Sequence, residues 1–381
     1  NVVFDSFGVH NTIPHLSILL PIGLSFHTFQ SLSYTFEVYY GRHQAERNFG
    51  IFALYVMFYP QLVAGPIERP QNLLDQFSIE HKFDYEQVTD GLRLMLWGFF
   101  KKVVIADRLA VVVNQVYNNP TEYSGLSLLI ATYFFTFQIF CDFSGYSDIA
   151  IGAARVMGFN LMNNFNRPYF SKSISEFWGR WHISLSTWFR DYLYIPLGGN
   201  RVEKSRWYFN LFFVFLVSGL WHGANWTYIV WGALHGSYLI VSLLSQSFRD
   251  KVSRMLSFNQ YPAIQRGLKV FITFNLVSFA WIFFRASSIS DAFYVATHLF
   301  TDLRLMPYHE YNLGLNLLEF LIAVGAIGFM ELIHVTQKNE SIADTISRRP
   351  VWLRWSVYYV MIFAIIILGK FDDQQFIYFQ F

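Results

Sequence analysis

Long apolar runs, separated by short polar segments, dominate the chain from end to end. A helix of about 20 residues crosses the hydrocarbon core of a bilayer, so each of these runs is a candidate span. The predicted spans lie near residues 14–36, 48–64, 92–117, 125–157, 207–222, 224–245, 268–285, 315–334 and 353–369. The pattern therefore predicts an all-α, polytopic integral membrane protein that forms one domain over residues 1–381.

Polar residues interrupt several predicted spans. Segment 92–117 contains four charged residues, so we expect it to be re-entrant or partly interfacial. These residues are Lys101, Lys102, Asp107 and Arg108. Segment 125–157 exceeds one crossing, and its tail, Ser144-Gly-Tyr-Ser-Asp148, should leave the lipid and face protein or water. The elements Leu20-Pro21-Ile-Gly23 and Gly65-Pro66 predict kinks or breaks.

The distribution of charge predicts an orientation in the membrane, because cytoplasmic loops carry an excess of Lys and Arg. Segments 198–206, 245–269 and 338–354 are basic and should be cytoplasmic. Segments 287–314 and 371–381 are richer in acidic residues and should be external. These assignments alternate consistently through the last five predicted spans.

Composition supports a membrane location. Of the 381 residues, 54% are hydrophobic and only 14% are charged, whereas an average soluble domain has about 25% charged residues. The basic residues flank predicted spans and form no patch with exposed aromatic residues, so nucleic-acid binding is disfavoured. The single cysteine, Cys141, excludes a disulfide framework and a cysteine-based metal site, and we interpret it as a small core residue.

A histidine in the tripeptide Trp221-His222-Gly223 lies between two long apolar stretches. Ionisable residues are costly at membrane depth and usually face a cavity, a partner or a reaction. Neutral imidazole is a good proton acceptor near pH 7, so His222 is a candidate base. The alternative is a histidine that packs between Trp221 and Trp226. A rival, His235, is more typical of a structural residue that packs against neighbouring helices.

Residues 173–195 predict one amphipathic helix at the membrane interface, with a tryptophan-rich apolar face. Ser173 and Glu176 fit a capping box at its start. At 100° per residue, His182 falls on the apolar face and Ser184 on the polar face. On spacing alone, His182 is more typical of a buried, hydrogen-bonded structural residue.

Other chemistries have less support in the sequence. His182, His222 and His235 have no HxxxH or HExxH spacing, which disfavours a metal site. No GxSxG nucleophile elbow and no glycine-rich phosphate loop occurs, and Gly198-Gly199 is typical of a helix end.

A group of motifs resembles the membrane-bound O-acyltransferases, and within them the alginate O-acetyltransferase branch and the related teichoic acid D-alanyl transferases. The motifs between the predicted spans are Asn164-Phe-Asn-Arg-Pro-Tyr169, Glu176-Phe-Trp-Gly-Arg-Trp-His182-Ile-Ser-Leu-Ser186, Trp188-Phe-Arg-Asp-Tyr192 and Ile195-Pro-Leu-Gly-Gly-Asn-Arg201. Further matches are Gly23-Leu-Ser-Phe-His-Thr-Phe-Gln30, Tyr59-Pro-Gln-Leu-Val-Ala-Gly-Pro-Ile67, Asp142-Phe-Ser-Gly-Tyr-Ser-Asp-Ile-Ala-Ile-Gly152 and Gly219-Leu-Trp-His-Gly-Ala224. The resemblance is strong over residues 15–245 and looser beyond. The chain departs from the branch at Glu37-Val-Tyr-Tyr-Gly41 and at Cys141.

The resemblance implies a fold and a reaction. The fold would be a ring of tilted helices around a narrow tunnel, and the family's first spans would precede residue 1. His222 would be the catalytic general base, and His182 would position the acceptor, orient His222 or stabilise the oxyanion. An acyl-histidine intermediate remains an alternative.

The resemblance also implies substrates and partners. The donor would be a cytoplasmic acyl thioester such as acetyl-CoA, with no permanently bound cofactor and no metal. The acceptor would be a hydroxyl of an exported polysaccharide or of a periplasmic relay protein, at the bacterial inner membrane. Teichoic acid or a lipid is an alternative acceptor for a D-alanyl or longer acyl group.

Two other function classes fit the pattern. Intramembrane histidines and helices broken by Pro and Gly also suit a proton-coupled transporter, although no inverted repeat is visible. A structural subunit that anchors a polysaccharide complex is the third reading.

Overall fold

The computed structural model of the protein describes residues 23–255, 260–303, 307–311, 313–337, 346–371 and 376. The start of the first predicted span, including Pro21, therefore lies outside the described residues, as do the first half of segment 338–354 and most of segment 371–381. The described residues form helices and connecting segments, with no β-strand among them. The predicted all-α fold is confirmed.

Fifteen α-helices occur among the described residues. They are α1 (Leu24–Tyr39), α2 (Phe49–Met57), α3 (Pro70–Leu73), α4 (Tyr85–Phe99), α5 (Asp107–Tyr117), α6 (Gly125–Val156), α7 (Ile174–Trp178), α8 (Ile183–Phe189), α9 (Lys204–His222), α10 (Trp226–Leu244), α11 (Gln246–Met255), α12 (Pro262–Arg285), α13 (Ile289–His298), α14 (Leu317–Thr336) and α15 (Val351–Leu368). Two π-helical segments, Phe100–Ala106 and Arg190–Tyr194, follow α4 and α8. Short 3₁₀ turns cover Leu74–Ser78, Pro120–Glu122, Pro168–Phe170 and Tyr308–Tyr311.

Five of the described helices are long and apolar enough to cross a bilayer, namely α6, α10, α12, α14 and α15. They coincide with the predicted spans 125–157, 224–245, 268–285, 315–334 and 353–369. The protein is thus a multi-pass membrane protein. The predicted span 207–222 is also helical, as α9, but is not one of the five.

The predicted span at 48–64 is wrong. Its helix, α2, has nine residues and is therefore only about 14 Å long, too short for a crossing. Pro60 disfavours helical backbone at the residue before it, and α2 ends at Met57. Side chains then replace the helical hydrogen bonds, because the Gln30 and Gln61 amides both donate to the carbonyl of Tyr55. The predicted break at Gly65-Pro66 falls in the irregular segment that follows.

Segment 92–117 does not turn back in the membrane. The helix runs from α4 through the π-helical segment into α5, and its two lysines find partners on the neighbouring helix α6. Lys101 Nζ lies 2.8 Å from Asp148 Oδ2, and Lys102 Nζ lies 2.6 Å from Asp142 Oδ1. Pairing inside the protein removes the need for an interfacial position. The tail of α6 faces protein as predicted, since Ser144 accepts a hydrogen bond from Lys101 at 2.9 Å.

Glycines allow α4 and α6 to approach closely enough for these ion pairs. A Cβ atom on Gly98 would lie 2.6 Å from the carbonyl oxygen of Gly145, and one on Gly152 would lie 2.5 Å from that of Gly91. Small residues at such crossings let helix backbones pack against each other in membranes. The two helices therefore depend on glycine at both crossing points.

We expect Gly98→Val to lower the melting temperature of the protein in detergent, because the added atoms collide with the α6 backbone. The matched control is Gly325→Val on α14, where a Cβ meets nothing within 4 Å. Thermal unfolding followed by tryptophan fluorescence measures both. Equal melting temperatures for the two variants would show that the helices do not cross this closely.

We expect Lys101→Met to destabilise the fold by about 3–5 kcal/mol, because it leaves the Asp148 carboxylate without its counter-charge. The double variant Lys101→Met/Asp148→Leu should be more stable than Lys101→Met alone, because it removes both charges. Unfolding in detergent compares the two. A double variant that is the less stable of the pair would contradict the ion pair.

Candidate active site

The segment 173–195 is not the single helix that its sequence pattern predicts. It consists of α7, a turn, α8 and the π-helical segment Arg190–Tyr194. His182 stands at the break with φ 43°, in the left-handed region that non-glycine residues rarely adopt. Only part of the capping box forms: Ser173 accepts from the Glu176 amide, but the Glu176 carboxylate accepts from the amide of Lys172.

Backbone hydrogen bonds from an earlier segment hold this break. The amide of Ile183 donates to the carbonyl of Asn164 at 2.9 Å, and the amide of Asn166 donates to the carbonyl of Arg180 at 2.9 Å. Residues 164–166 therefore pair with residues 180–183 like a short two-stranded contact. These long-range bonds override the helical periodicity of the local sequence.

The break changes where the side chains point. His182 is buried as predicted, with 2% of its surface exposed, but Ser184, which the helical projection places on the polar face, is fully buried. The tryptophan-rich face lies in the protein core instead of at a membrane interface, since Trp181 and Trp188 are also buried there.

His182 lies among aromatic rings, and side-chain oxygens of Asn164 and Ser184 lie near its Nδ1. The edge of its ring meets Phe143 at a centroid distance of 4.6 Å, and Phe26 stacks on it at 6.2 Å. This Nδ1 lies 3.0 Å from Oδ1 of Asn164 and 3.4 Å from Oγ of Ser184. The ring is thus fixed in orientation by both packing and a hydrogen bond.

His222 is the last residue of α9, next to the extended residue Gly223. Its half-buried ring contacts the rings of Trp221 at 4.6 Å, Phe284 at 4.9 Å and Trp231 at 5.2 Å. Contacts from three different helices determine its position.

The structure brings the two histidines into the same aromatic cluster. Phe26 on α1 contacts the ring of His182 and, at 6.3 Å, the ring of Trp221 beside His222. The two imidazoles lie within electrostatic range of each other. His182 and His222, 40 positions apart in the sequence, are therefore joined through the contacts of Phe26 with the His182 ring and with Trp221.

His235 has a different environment. It is fully buried on α10, and its Nδ1 accepts a hydrogen bond from the indole nitrogen of Trp178 at 3.2 Å. Trp231 lies between it and His222. These contacts agree with the predicted packing role.

Two cavities lie near the break at His182. The larger, about 700 Å³, has a mixed polar lining that includes Asp148, Arg155 and Asn163, the neighbour of Asn164. The second, about 640 Å³, is mainly apolar and has Gly179 and Ile183 in its lining, close to His182 on both sides. Neither lining includes His182 or His222 themselves among the described residues. The second cavity therefore reaches Ile183, the immediate neighbour of His182, and the larger reaches Asn163.

Sequence reasoning missed the partners of these residues. Asn164 appears in a motif, but nothing local in the sequence indicates that its side chain meets His182. The lysines of the π-helical segment and the aspartates of α6 were each visible as interruptions of apolar runs. Their opposite charges are the feature of the sequence from which the lysine–aspartate pairs could have been predicted.

The membrane-bound O-acyltransferase family model matches residues 47–289 of the chain. The chain is 43% identical to a probable alginate O-acetylase of Pseudomonas aeruginosa over 87% of this chain and 62% of that protein. It is 37% identical to a peptidoglycan O-acetyltransferase of Helicobacter pylori, over 73% of this chain and 56% of that protein. It is 30% identical to a teichoic acid D-alanyltransferase of Streptococcus thermophilus, over 70% and 69% respectively.

The chain therefore spans somewhat less than two thirds of the length of the Pseudomonas aeruginosa relative. The family-model match nevertheless covers both histidines and the break between α7 and α8. On these grounds the chain belongs to the membrane-bound O-acyltransferase family.

Proposed function

We propose that the protein is an O-acetyltransferase that moves an acetyl group from a thioester donor to a hydroxyl of an exported polysaccharide or of a periplasmic partner protein. The observation that carries the proposal is the meeting of His182 and His222 in one aromatic cluster. The alginate and peptidoglycan acetylating relatives favour acetyl over D-alanyl transfer, because the D-alanylating relative is the more distant of the three.

The chemistry requires a base. As the hydroxyl oxygen forms its bond to the thioester carbonyl carbon, its proton passes to His222, and the carbon–sulfur bond then breaks. The protonated His222 returns the proton to the leaving thiolate, so no net proton is gained or lost. General base catalysis of this kind contributes typically about 10²–10⁴-fold.

The surroundings of the two imidazoles suit this reaction. Phe26, Phe143, Trp221, Trp231 and Phe284 surround them with apolar surface. An apolar surface that excludes water limits hydrolysis of the thioester and strengthens polar interactions with the reacting atoms. A tunnel between the two membrane faces would bring donor and acceptor to this point.

The cavities favour entry of the donor from the side of the basic segments. The apolar cavity is lined by Arg190, Tyr194 and Trp207, next to basic segment 198–206. The larger cavity is lined by Gln337, next to the basic segment 338–354, and by Ile346 within it. Basic segments mark the cytoplasmic face in a bacterial inner membrane. A cytoplasmic thioester such as acetyl-CoA therefore fits this side.

We expect His222→Ala to lower the rate of acetyl transfer by about 10²–10⁴-fold, because the acceptor hydroxyl loses its base. His182→Ala should also lower it, whereas His81→Ala, on an exposed residue, should not. The assay uses the full-length protein in membranes with radiolabelled acetyl-CoA, and melting temperatures confirm folding. Transfer by folded His222→Ala at near the wild-type rate would contradict the proposal.

We expect a cysteine introduced at Ser205 to react with a membrane-impermeant maleimide only from the cytoplasmic side, and one at Ser290 only from the periplasmic side. Both residues are exposed, and the native Cys141 is buried. Labelling of intact cells and of inverted vesicles separates the two sides. Labelling of both positions from the same side would overturn the proposed orientation.

A further inference from the structure

Asn164 is a buried residue that joins α6 to the break at His182. Only 1% of its surface is exposed, and its side chain has polar partners on both ends of the amide. The family motif contains this residue, but the proposed reaction gives it no role. Its hydrogen bonds determine which ring nitrogen of neutral His182 carries the hydrogen.

The backbone N–H of Ser184 can only donate a hydrogen bond, and it therefore determines the orientation of the Asn164 amide. The backbone N–H of Ser184 points at one end of the amide, at 3.3 Å, so this end must be the acceptor oxygen Oδ1. The Ser184 hydroxyl donates to the same oxygen at 2.9 Å. At the other end, Nδ2 donates to Oγ of Ser147 on α6 at 3.2 Å. All three contacts agree on one orientation.

The orientation of the amide fixes the tautomer of neutral His182. Nδ1 of His182 lies 3.0 Å from Oδ1 of Asn164, and an amide oxygen has no hydrogen to donate. Two lone pairs at this distance would repel, so Nδ1 must carry the hydrogen. A neutral imidazole has one N–H and one lone pair, and the lone pair is therefore on Nε2.

We propose that Asn164 is a positioning residue of the active site, which holds neutral His182 with its hydrogen on Nδ1 so that Nε2 acts as a hydrogen-bond acceptor. The inference rests on the proposed acetyl transfer. Nε2 then accepts from a hydroxyl of the acceptor or from a ring N–H of His222. It does not donate to the oxyanion, which removes one of the three roles that the sequence leaves open. Asn164 itself exchanges no proton.

A purely structural role for the Asn164 side chain makes different predictions. The backbone carbonyl of Asn164 holds the break through Ile183, and a side-chain substitution leaves that bond intact. Variants of the side chain therefore separate control of the tautomer from support of the fold.

The contacts of the His182 ring with Phe26, Phe143 and Phe165 are apolar. Among the described residues, His222 is the titratable residue in electrostatic range of the His182 ring.

The test compares Asn164→Ala, Asn164→Asp and Ser147→Ala in the full-length protein. Asn164→Ala should lower kcat about 10-fold to 100-fold, as with the partners that orient metal-bound histidines. Asn164→Asp keeps an acceptor oxygen for Nδ1 and for Ser184, so it should retain more activity than Asn164→Ala. Ser147→Ala removes only the contact of Nδ2 and should mainly lower the melting temperature.

The pH profile is the readout that a structural role would not move. A carboxylate next to the ring stabilises protonated His182, which has no lone pair on Nε2. As the pH falls, Asn164→Asp should therefore lose activity at a higher pH than the wild type. A profile identical to that of the wild type, or a folded Asn164→Asp no more active than Asn164→Ala, would overturn the proposal.

His182→Ala separates the two claims. If His182→Ala is inactive while folded Asn164→Ala is fully active, the tautomer proposal fails and the proposed function stands. If His182→Ala itself keeps full activity, the proposed part of His182 in the reaction fails, and with it the inference about Asn164.

Discussion

A polar group inside a helical membrane protein must find its partner within the protein, and the pairing of residues 164–166 with residues 180–183 is the contact on which the site depends. It gives the backbone at the break its hydrogen bonds, since the Ile183 amide reaches the Asn164 carbonyl. It also allows His182 to hold a left-handed backbone conformation, which costs free energy and persists only where the surroundings determine it. The break turns the His182 ring out of the helical register and into the aromatic cluster.

The same requirement explains the charged residues of α4, α5 and α6. Lys101 and Lys102 lie on a π-helical segment and pair with Asp148 and Asp142 across a glycine-lined crossing. π-helical turns are frequent at functional sites, and here the segment places two adjacent lysines against one neighbouring helix. Phe143, between these aspartates, meets the His182 ring. The ion pairs therefore fix the helix on which one wall of the site is built.

The sequence predicts this protein best where information is local. The apolar runs predict the five apolar spans closely, and the charged tail of α6 predicts its own burial in protein. Span 48–64 fails for a local reason, because Pro60 outweighs the apolar pattern. Helix 173–195 fails for a distant one: nothing between Ser173 and Ile195 shows that Asn164 will compete for the amide of Ile183. Family motifs placed His182 and His222 together before any geometry, but they do not give the tautomer or the partner that determines it.

In the proposed reaction His182 and His222 act on one reacting hydroxyl, and a double-mutant cycle on kcat/KM for acetyl transfer tests this most directly. Residues that act as a unit are strongly non-additive. We predict that His182→Ala/His222→Ala loses no more activity than the more damaging single variant. Losses that multiply fully in the double variant would show that the two imidazoles act independently, and would contradict the account.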